Sequence, residues 1–582
     1  MKSTLLTMTF LLVTALAHAG ADVTQQDITA DITGTALVLD VQIQVQSVGD
    51  TTSLVMFRPT LPTEVDVDGT AVTLTPHPEY PAQLSVLTFP TPLTDGQEAT
   101  VHLAMNGVPA CGSVGSLACL HNATETVLLP SGVDMAWHYT GLFDVDTFLA
   151  SVTVKAPTGK HVVAGQGAPA SVVDNGDDTR TWTFQAAVPT ESLTLYARAA
   201  DEMRSPGNKV VGYLVGNTRA HENMTRAVSL AEDLLPVYGA LFRELPVDEV
   251  HLMMVSPGFP FGGMGLLGNI FMGDYILDTH DYLLEQGVAH ELGHSWWGNL
   301  ARAVVPEEGL VLQEGLAEYS AWRALGQLQG DDVRTSGVRM NAVWYMFRRP
   351  QNRDVAPLDP DIQSSSVAIF AGYHKASTVF RTFEEIVGEE AFTRALSALT
   401  QPGATLSITS LVDEVARTSG TDLTPEVDQW LRHTGYPAVV LTTHSAPSAT
   451  GGVDVTVEVD SRGAFTFTLP LELRLPDGTV IHETVLVPED ISTHTLHLPA
   501  APLLVQADPR WTLVRDVDPL VFADVTLDGA VDAADLVEIA LRSGGHLPET
   551  RREDGRYDPL YDVNEDETID ELDLEDALAA VR

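Results

Sequence analysis

The period of apolar side chains along the chain changes twice. Residues 36–46 (ALVLDVQIQVQ) alternate apolar and polar positions, as a strand with one buried face does. Residues 150–163, 180–185 and 192–197 repeat the habit. Turn-rich breaks such as Asp174-Asn175-Gly176-Asp177-Asp178 separate them. The stretch up to about residue 202 therefore predicts an antiparallel β domain. From about Gly207 the spacing becomes helical: residues 219–245 form one long amphipathic run, and Pro246 marks its end. A strand-like run at 250–255 and a glycine-rich strand edge at 261–270 follow. A helix is expected over 281–300, a second just beyond it, and further helices to about residue 431. Strict alternation returns at 453–459 and 465–469, the pattern of a small β-sandwich over 437–515. The pattern thus predicts a multidomain α+β chain: a β domain over 20–203, a mixed domain over 204–436, the sandwich, and a distinct tail over 516–582.

Composition adds constraints. A chain of 582 residues is too long for one core, and its 44% hydrophobic and 19% charged residues are those of folded protein. The formal charge of -47 argues against nucleic acid or an anionic membrane surface as partner, since both would repel it. Residues 1–19 read as a secretory signal: Lys2, an apolar stretch over 5–17 too short to span a bilayer, and Ala17-His18-Ala19 as a cleavage site. No later segment is apolar for long enough to cross a membrane as a helix. The expectation is an exported protein, periplasmic or extracellular. Cys111 and Cys119 are the only cysteines, and in an oxidising compartment they are expected to form one small disulfide.

The chemistry centres on His290-Glu291-Leu292-Gly293-His294. Histidines four apart leave one face of a helix and can share a metal, while Glu291 beside them can hold and deprotonate a water on that metal. Zinc with three protein ligands keeps a fourth position open and lowers the pKa of the water there. A third ligand is therefore required, and Glu314 follows His294 after nineteen intervening residues.

The flanking residues carry a resemblance. His290 to Asn299 (HELGHSWWGN) is similar to the H-E-x-x-H-x-W-x-G-N of the aminopeptidase N and leukotriene A4 hydrolase family of zinc peptidases. Gln313-Glu314-Gly315-Leu316-Ala317-Glu318-Tyr319 resembles that family's N-E-G-F-A-x-Y, and Tyr373-His374-Lys375-Ala376 its Y-E-K-G. Residues 137–157, with Phe143-Asp144, resemble its F-D-E-P region. The resemblance spans residues 30–515 and implies an N-terminal β domain, a thermolysin-like catalytic domain and a small β-sandwich, without the family's large C-terminal helical domain. It implies one catalytic zinc on His290, His294 and Glu314, Glu291 as general base, and Tyr373 as hydrogen-bond donor to the oxyanion. Glu318, one turn after Glu314, could orient a histidine ligand or stand as a helix-surface glutamate. Two departures stand out. The connection from His294 to Glu314 is one residue longer than is usual in the family. The family's G-A-M-E-N strand, whose glutamate binds a free amino terminus, reads Gly262-Gly263-Met264-Gly265-Leu266 here. The main chain of Gly262, Gly263 and Met264 can still pair with an extended peptide, but the carboxylate is gone. Glu307, Glu308 or a residue of the N-terminal domain could take its place. Whether the enzyme trims amino termini or cuts internally stays open.

The tail contains a repeat. Asp524, Thr526, Asp528, Asp532 and Asp535 recur 38 residues later as Asp562, Asn564, Asp566, Asp570 and Asp573, with Val531 and Ile569 as matching apolar positions. Oxygen side chains at the first, third, fifth, ninth and twelfth places suit calcium, which takes hard oxygen ligands. Two structural calcium ions are expected, although the sixth-place glycine is Gly529 in one copy and Glu567 in the other. The repeat resembles a dockerin-type EF-hand pair, which would imply a cohesin-like partner. The expected function is a secreted zinc metallopeptidase acting on peptides or proteins. The alternative is a non-catalytic, calcium-dependent surface or assembly protein built on a peptidase scaffold.

Overall fold

The computed structural model describes residues 20–515, except 60, 110–118, 130–136, 140–146, 256–261, 274–280, 349–354, 361, 363–369, 402–403, 438, 462–464 and 489–490, and also 550–551 and 568–569. The proposed signal over 1–19, Cys111, Phe143-Asp144 and all ten proposed calcium ligands lie outside these residues. The described residues fall into two compact units, one within Phe10–Asp278 and Gly287–Pro306, the other within Thr279–Gln286 and Glu307–Arg582.

The first unit begins with β1 (Gly20–Asp31), β2 (Leu37–Val48), β3 (Thr51–Phe57), β4 (Thr63–Val67), β5 (Thr70–Val72) and β6 (Thr75–Pro76). It continues with β7 (Leu84–Leu93), β8 (Glu98–Gly107), β9 (Cys119–His121), β10 (Glu125–Leu128), β11 (Leu149–Pro157) and β12 (His161–Ala164). Then come β13 (Ser171–Asp174), β14 (Thr179–Gln185) and β15 (Leu195–Arg198). The main sheet runs β13-β14-β11-β1-β2-β8-β4-β5, and a smaller one β12-β15-β10-β9. The expectation of an antiparallel sheet needs correction. β1 pairs with β11 in parallel, Gln25 opposite Leu149 through Asp31 opposite Lys155, so the sheet is mixed. Alternation reports which face is buried and is silent on strand direction. Along β2 every second residue from Leu37 to Ser47 is buried, as the pattern requires. Cys119 is disulfide-bonded, and the chain's other cysteine is Cys111.

A second sheet in this unit supports the site: β16 (Asp201–Arg204), β17 (Val210–Leu214), β18 (Val250–Met254), β19 (Gly263–Leu266) and β20 (Asn269–Met272). Its order is β16-β17-β18-β20-β19, which leaves β19 at the edge. Val127, Val163 and Tyr196 of the smaller β sheet share one apolar core with Val211, Met253 and Phe271. Met264 and Leu266, on one face of β19, rest on that core. Helix α1 (Thr218–Leu241) is capped by the Asn217 side chain, which accepts from the Ala220 amide; it ends before the expected residue 245 and tolerates Pro236 within it.

Helix α2 (Asp281–Gly293) carries the metal motif. The second unit then holds α3 (Leu316–Gln329), α4 (Asp331–Arg348), α5 (Ala376–Val387), α6 (Glu389–Leu399), α7 (Ile408–Ser419) and α8 (Thr424–Leu431). Glu384 is buried among three arginines: Arg323 (2.6 Å), Arg381 (3.0 Å) and Arg334. Burial alone would push its carboxyl up, but Arg334, Arg323 and Arg381 overcome that and hold it below the usual range. This ion cluster ties α3, α4 and α5 together. Strands β21 (Val440–Pro447), β22 (Val453–Asp460), β23 (Phe467–Arg474), β24 (Val480–Val487), β25 (Ile491–Leu498) and β26 (Leu504–Ala507) form two three-stranded sheets, β21-β22-β25 and β24-β23-β26. Gln429 of α8 holds the sandwich by two bonds with Thr466, and Trp430 lies against Phe465 at 5.0 Å. In the tail, β27 (Thr550–Arg551) pairs with β28 (Thr568–Ile569), which places Ile569 on a two-stranded ribbon. Among the described residues no helix is long and apolar enough to cross a membrane.

Candidate metal centre

Helix α2 is shorter than the expected 281–300. It closes at Gly293, and the His294 amide still donates to the His290 carbonyl at 3.2 Å, so both histidines share one helical turn. The chain then turns, with Gly298 at φ 100°. The cause lies in Trp296 and Trp297, both fully buried. Neighbouring side chains on a helix diverge by about 100°, so two adjacent tryptophans on a half-exposed helix cannot both reach a core. Here the Trp296 indole stacks on Tyr238 at 4.9 Å and donates to the Arg243 carbonyl, while Trp297 meets the edge of Phe242 at 5.0 Å.

The two imidazoles converge. Their Nε2 atoms lie 3.1 Å apart with the rings at 84° to one another. His294 Nδ1 is 3.0 Å from the Trp297 carbonyl. A carbonyl can only accept, so Nδ1 carries the proton and Nε2 keeps its lone pair for a metal. Glu314 completes the set: one ligand atom from each of His290, His294 and Glu314 lies within 4.8 Å of the others. Two imidazole nitrogens and one carboxylate oxygen are the donor set of a zinc site that keeps a position open. His290 and Glu291 are 6% and 8% exposed, so the motif is nearly withdrawn from solvent.

Glu314 and Tyr373 arrive on the same kind of element. Each sits in a π-helical turn, Leu310–Gly315 and Phe370–Lys375, which leads straight into α3 or α5. Sequence spacing predicts an ordinary helix under Glu314, and the wider turn replaces it. Such turns are rare and often mark functional sites. The two turns pack through their glycines. A Cβ on Gly315 would stand 3.0 Å from the Gly372 carbonyl and 2.8 Å from Ala376 Cβ, and one on Gly372 would stand 2.5 Å from Leu310 Cγ. Lys375, fully buried, donates to the His433 carbonyl at 2.9 Å and lies 5.4 Å from the Tyr345 ring, which anchors the far end of the second turn.

Glu318 is no surface glutamate. It is 2% exposed, and its two oxygens accept from the Trp322 indole and the Gln286 amide, each at 2.7 Å. Gln286 lies one turn before His290 on α2, so Glu318 steadies the helix that carries the histidines. Tyr238 adds a second brace: its hydroxyl donates to the Ala289 carbonyl at 2.7 Å. Neither Gln286 nor Tyr238 had a signal in the sequence beyond its place on a helix.

Strand β19 lies over Glu291. A Cβ on Gly263 would come within 2.5 Å of the Glu291 Cδ, and one on Gly265 would run into the Glu291 carbonyl oxygen and stand 2.8 Å from His294 Cβ. The glycines let the strand approach the helix, and Gly262 closes the hairpin by accepting from Gly273. Of the carboxylates considered as stand-ins for the family's glutamate, Glu308 is engaged elsewhere: it accepts from the Ile408 amide at 2.7 Å, at the start of α7. Burial pushes its carboxyl up.

Residues 227–430 match the model of the peptidase family M1 domain, a span that contains His290, Glu291, His294, Glu314 and Tyr373. Over that span the chain is similar to the M1 family of metallopeptidases. The matched span begins inside α1 and closes within α8. Among the curated relatives, the chain is 25% identical over 315 residues to the alanine/arginine aminopeptidase of Saccharomyces cerevisiae, covering 50% of this chain and 34% of that one. It is 24% identical over 306 residues to the leucyl aminopeptidase of Saccharolobus solfataricus, covering 50% and 38%. The chain thus spans little more than a third of the length of these two relatives. The crystal structure of Legionella pneumophila aminopeptidase A in complex with aspartic acid superposes with a TM-score of 0.66 at 12% identity, over 91% of this chain and 64% of that one. At that identity the likeness speaks for the fold alone.

Proposed function

We propose that this protein is an exported, zinc-dependent peptidase that hydrolyses peptide bonds without a carboxylate at position 265 to hold a free amine. The observation that carries the reading is the convergence of His290, His294 and Glu314 beside Glu291. Bound to those three donors, zinc would supply a Lewis acid that acidifies water and polarises a carbonyl. Glu291 takes the proton of the attacking water on its carboxylate and returns it to the leaving amine. Tyr373 donates a hydrogen bond to the oxygen that becomes negative. The edge of β19 offers main-chain groups to an extended peptide. Because Gly265 cannot carry a side chain where it lies, the ground for requiring a charged amino terminus is weak, and amino-blocked peptides are included among the substrates. The repeat in the tail is assigned to two structural calcium ions and a docking role of dockerin type, on its oxygen-rich spacing alone.

The test compares free-amine single-residue amides with amino-blocked, internally quenched peptides. Native protein is expected to cleave blocked peptides, and chelation to abolish turnover until zinc is restored. Glu291→Gln should keep its zinc and lose about 10²–10⁴ in kcat. Tyr373→Phe should lose on the order of 10²–10³. Turnover confined to free-amine substrates would reject the reading of substrate preference. Turnover that survives chelation, or that persists in Glu291→Gln, would reject the mechanism.

A further inference from the structure

Among the described residues strand β19 is the edge of its sheet, so the direction of its main-chain groups decides what can pair with it. Gly263 lies opposite Met272 and Leu266 opposite Asn269. Gly262 accepts from the Gly273 amide, which makes that pair a hydrogen-bonded one. In an antiparallel ladder such pairs alternate with pairs whose groups point away. Gly263 and Gly265 therefore turn their N–H and C=O groups outward, which corrects the expectation for Gly262 and Met264, whose main-chain groups face β20 instead.

The inner end of that edge is already taken. The Asn299 carboxamide accepts from the Leu267 amide at 3.1 Å and donates to the Gly265 carbonyl at 3.4 Å. Its NH₂ also donates to the His294 carbonyl at 2.8 Å. One amide orientation alone satisfies all three, because both carbonyls need a donor and the amide N–H needs an acceptor. The side chain thus does what the peptide group of a neighbouring strand would do beside Gly265 and Leu267, and it fastens that end of β19 to the backbone of a metal ligand. Gly298, at φ 100°, provides the turn that brings it there.

We infer that Asn299 is a positioning residue that sets the register of the substrate, closing the β19 edge beyond Gly265 so that a peptide pairs only outward from there. This rests on the peptidase reading. A peptide chain added to the edge meets the Asn299 carboxamide as a stop, and the bond presented to the metal is fixed by the distance from that stop. The substrate class this favours is a peptide cleaved at one position a fixed, short reach from an end or a turn, rather than an extended chain free to slide.

The experiment uses the full chain with zinc and a series of quenched peptides lengthened by one residue at a time from either end. Cleavage positions are read by mass spectrometry, and kcat and KM are measured separately. The wild type is expected to cut one bond regardless of length on the outward side. Asn299→Ala, which frees the Gly265 carbonyl and the Leu267 amide, is expected to keep its zinc and to spread cleavage over neighbouring bonds. Its kcat/KM at the original bond should fall roughly tenfold to a hundredfold, as loss of alignment does. Asn299→Asp, which keeps the acceptor for Leu267 and loses both donors, should fall between the two. Should Asn299→Ala prove unstable, Asn299→Asp carries the register measurement alone. An unchanged single cut in these variants, with kcat/KM within a factor of about two, would overturn the inference and leave the peptidase reading standing. A wild type that cleaves no peptide would overturn both.

Discussion

At position 265 one carbon atom decides what the edge strand can do. The Gly265 Cβ position is filled by the Glu291 carbonyl and by His294, so the gap in the expected G-A-M-E-N pattern is a steric fact as well as a chemical one. Gly265→Ala should cost about 1–3 kcal/mol of stability, as forced overpacking does, and should lower kcat/KM as β19 is pushed off the helix. Gly265→Glu should fail to create a preference for free-amine substrates, because the strand must move to admit the side chain. Denaturation midpoints and paired kinetics on free and blocked amides check both. At this scale the sequence was most eloquent where chemistry demands a residue type: His290, His294 and Glu314 lie close enough to one another to hold a metal. It was mute about Tyr238 and Gln286, and it marked Asn299 only as the last residue of a motif, because a hydrogen bond to a carbonyl leaves no mark on the sequence that carries it.

Elements are more legible than their boundaries. The long strands were legible because alternation is a direct image of burial. The helix expected to run to residue 300 stops at Gly293, since Trp296 and Trp297 both need a core. The two π-helical turns could not be read at all, because an extra residue in a turn does not disturb an apolar stripe enough to show. Their packing makes a prediction that belongs here. Gly315→Ala would drive a methyl group between the Leu310–Gly315 and Phe370–Lys375 turns, displacing Glu314 and Tyr373 together. Zinc affinity and kcat are both expected to fall, with about 1–3 kcal/mol of overpacking to distribute between them. Gly309→Ala, whose added carbon meets nothing within 4 Å, is the control and should leave both unchanged. Zinc competition titrations alongside steady-state rates separate the outcomes.

For the molecule as a whole, the succession of β-rich, helical and sandwich regions followed from periodicity, whereas the mixed strand directions did not. Its charge of -47 makes any site that holds a cation against carboxylates worth attention. His102 on β8 sits between Asp40 of β2 (2.8 Å) and Asp66 of β4 (2.9 Å). Hydrogen bonds to Asp40 and then Asp66 raise its pKa above the ordinary 6.5. The protonated ring therefore favours the folded state. That contribution is fully present below the ordinary value and fades as pH rises through the raised one. The melting temperature of the wild type should exceed that of His102→Gln most in mild acid, and the gap should close in alkali. A gap that stays constant across that range would discard the assignment.

The parallel pairing of β1 with β11 joins the beginning of the described chain to a strand more than a hundred residues further on. Until residues 149–155 have left the ribosome, β1 has only β2 for company, and one side of its ladder stands open. Any nascent or truncated form ending short of that point exposes a strand edge ready to seek partners elsewhere, so the first strand of this protein is obliged to wait for one about a quarter of the way along the chain.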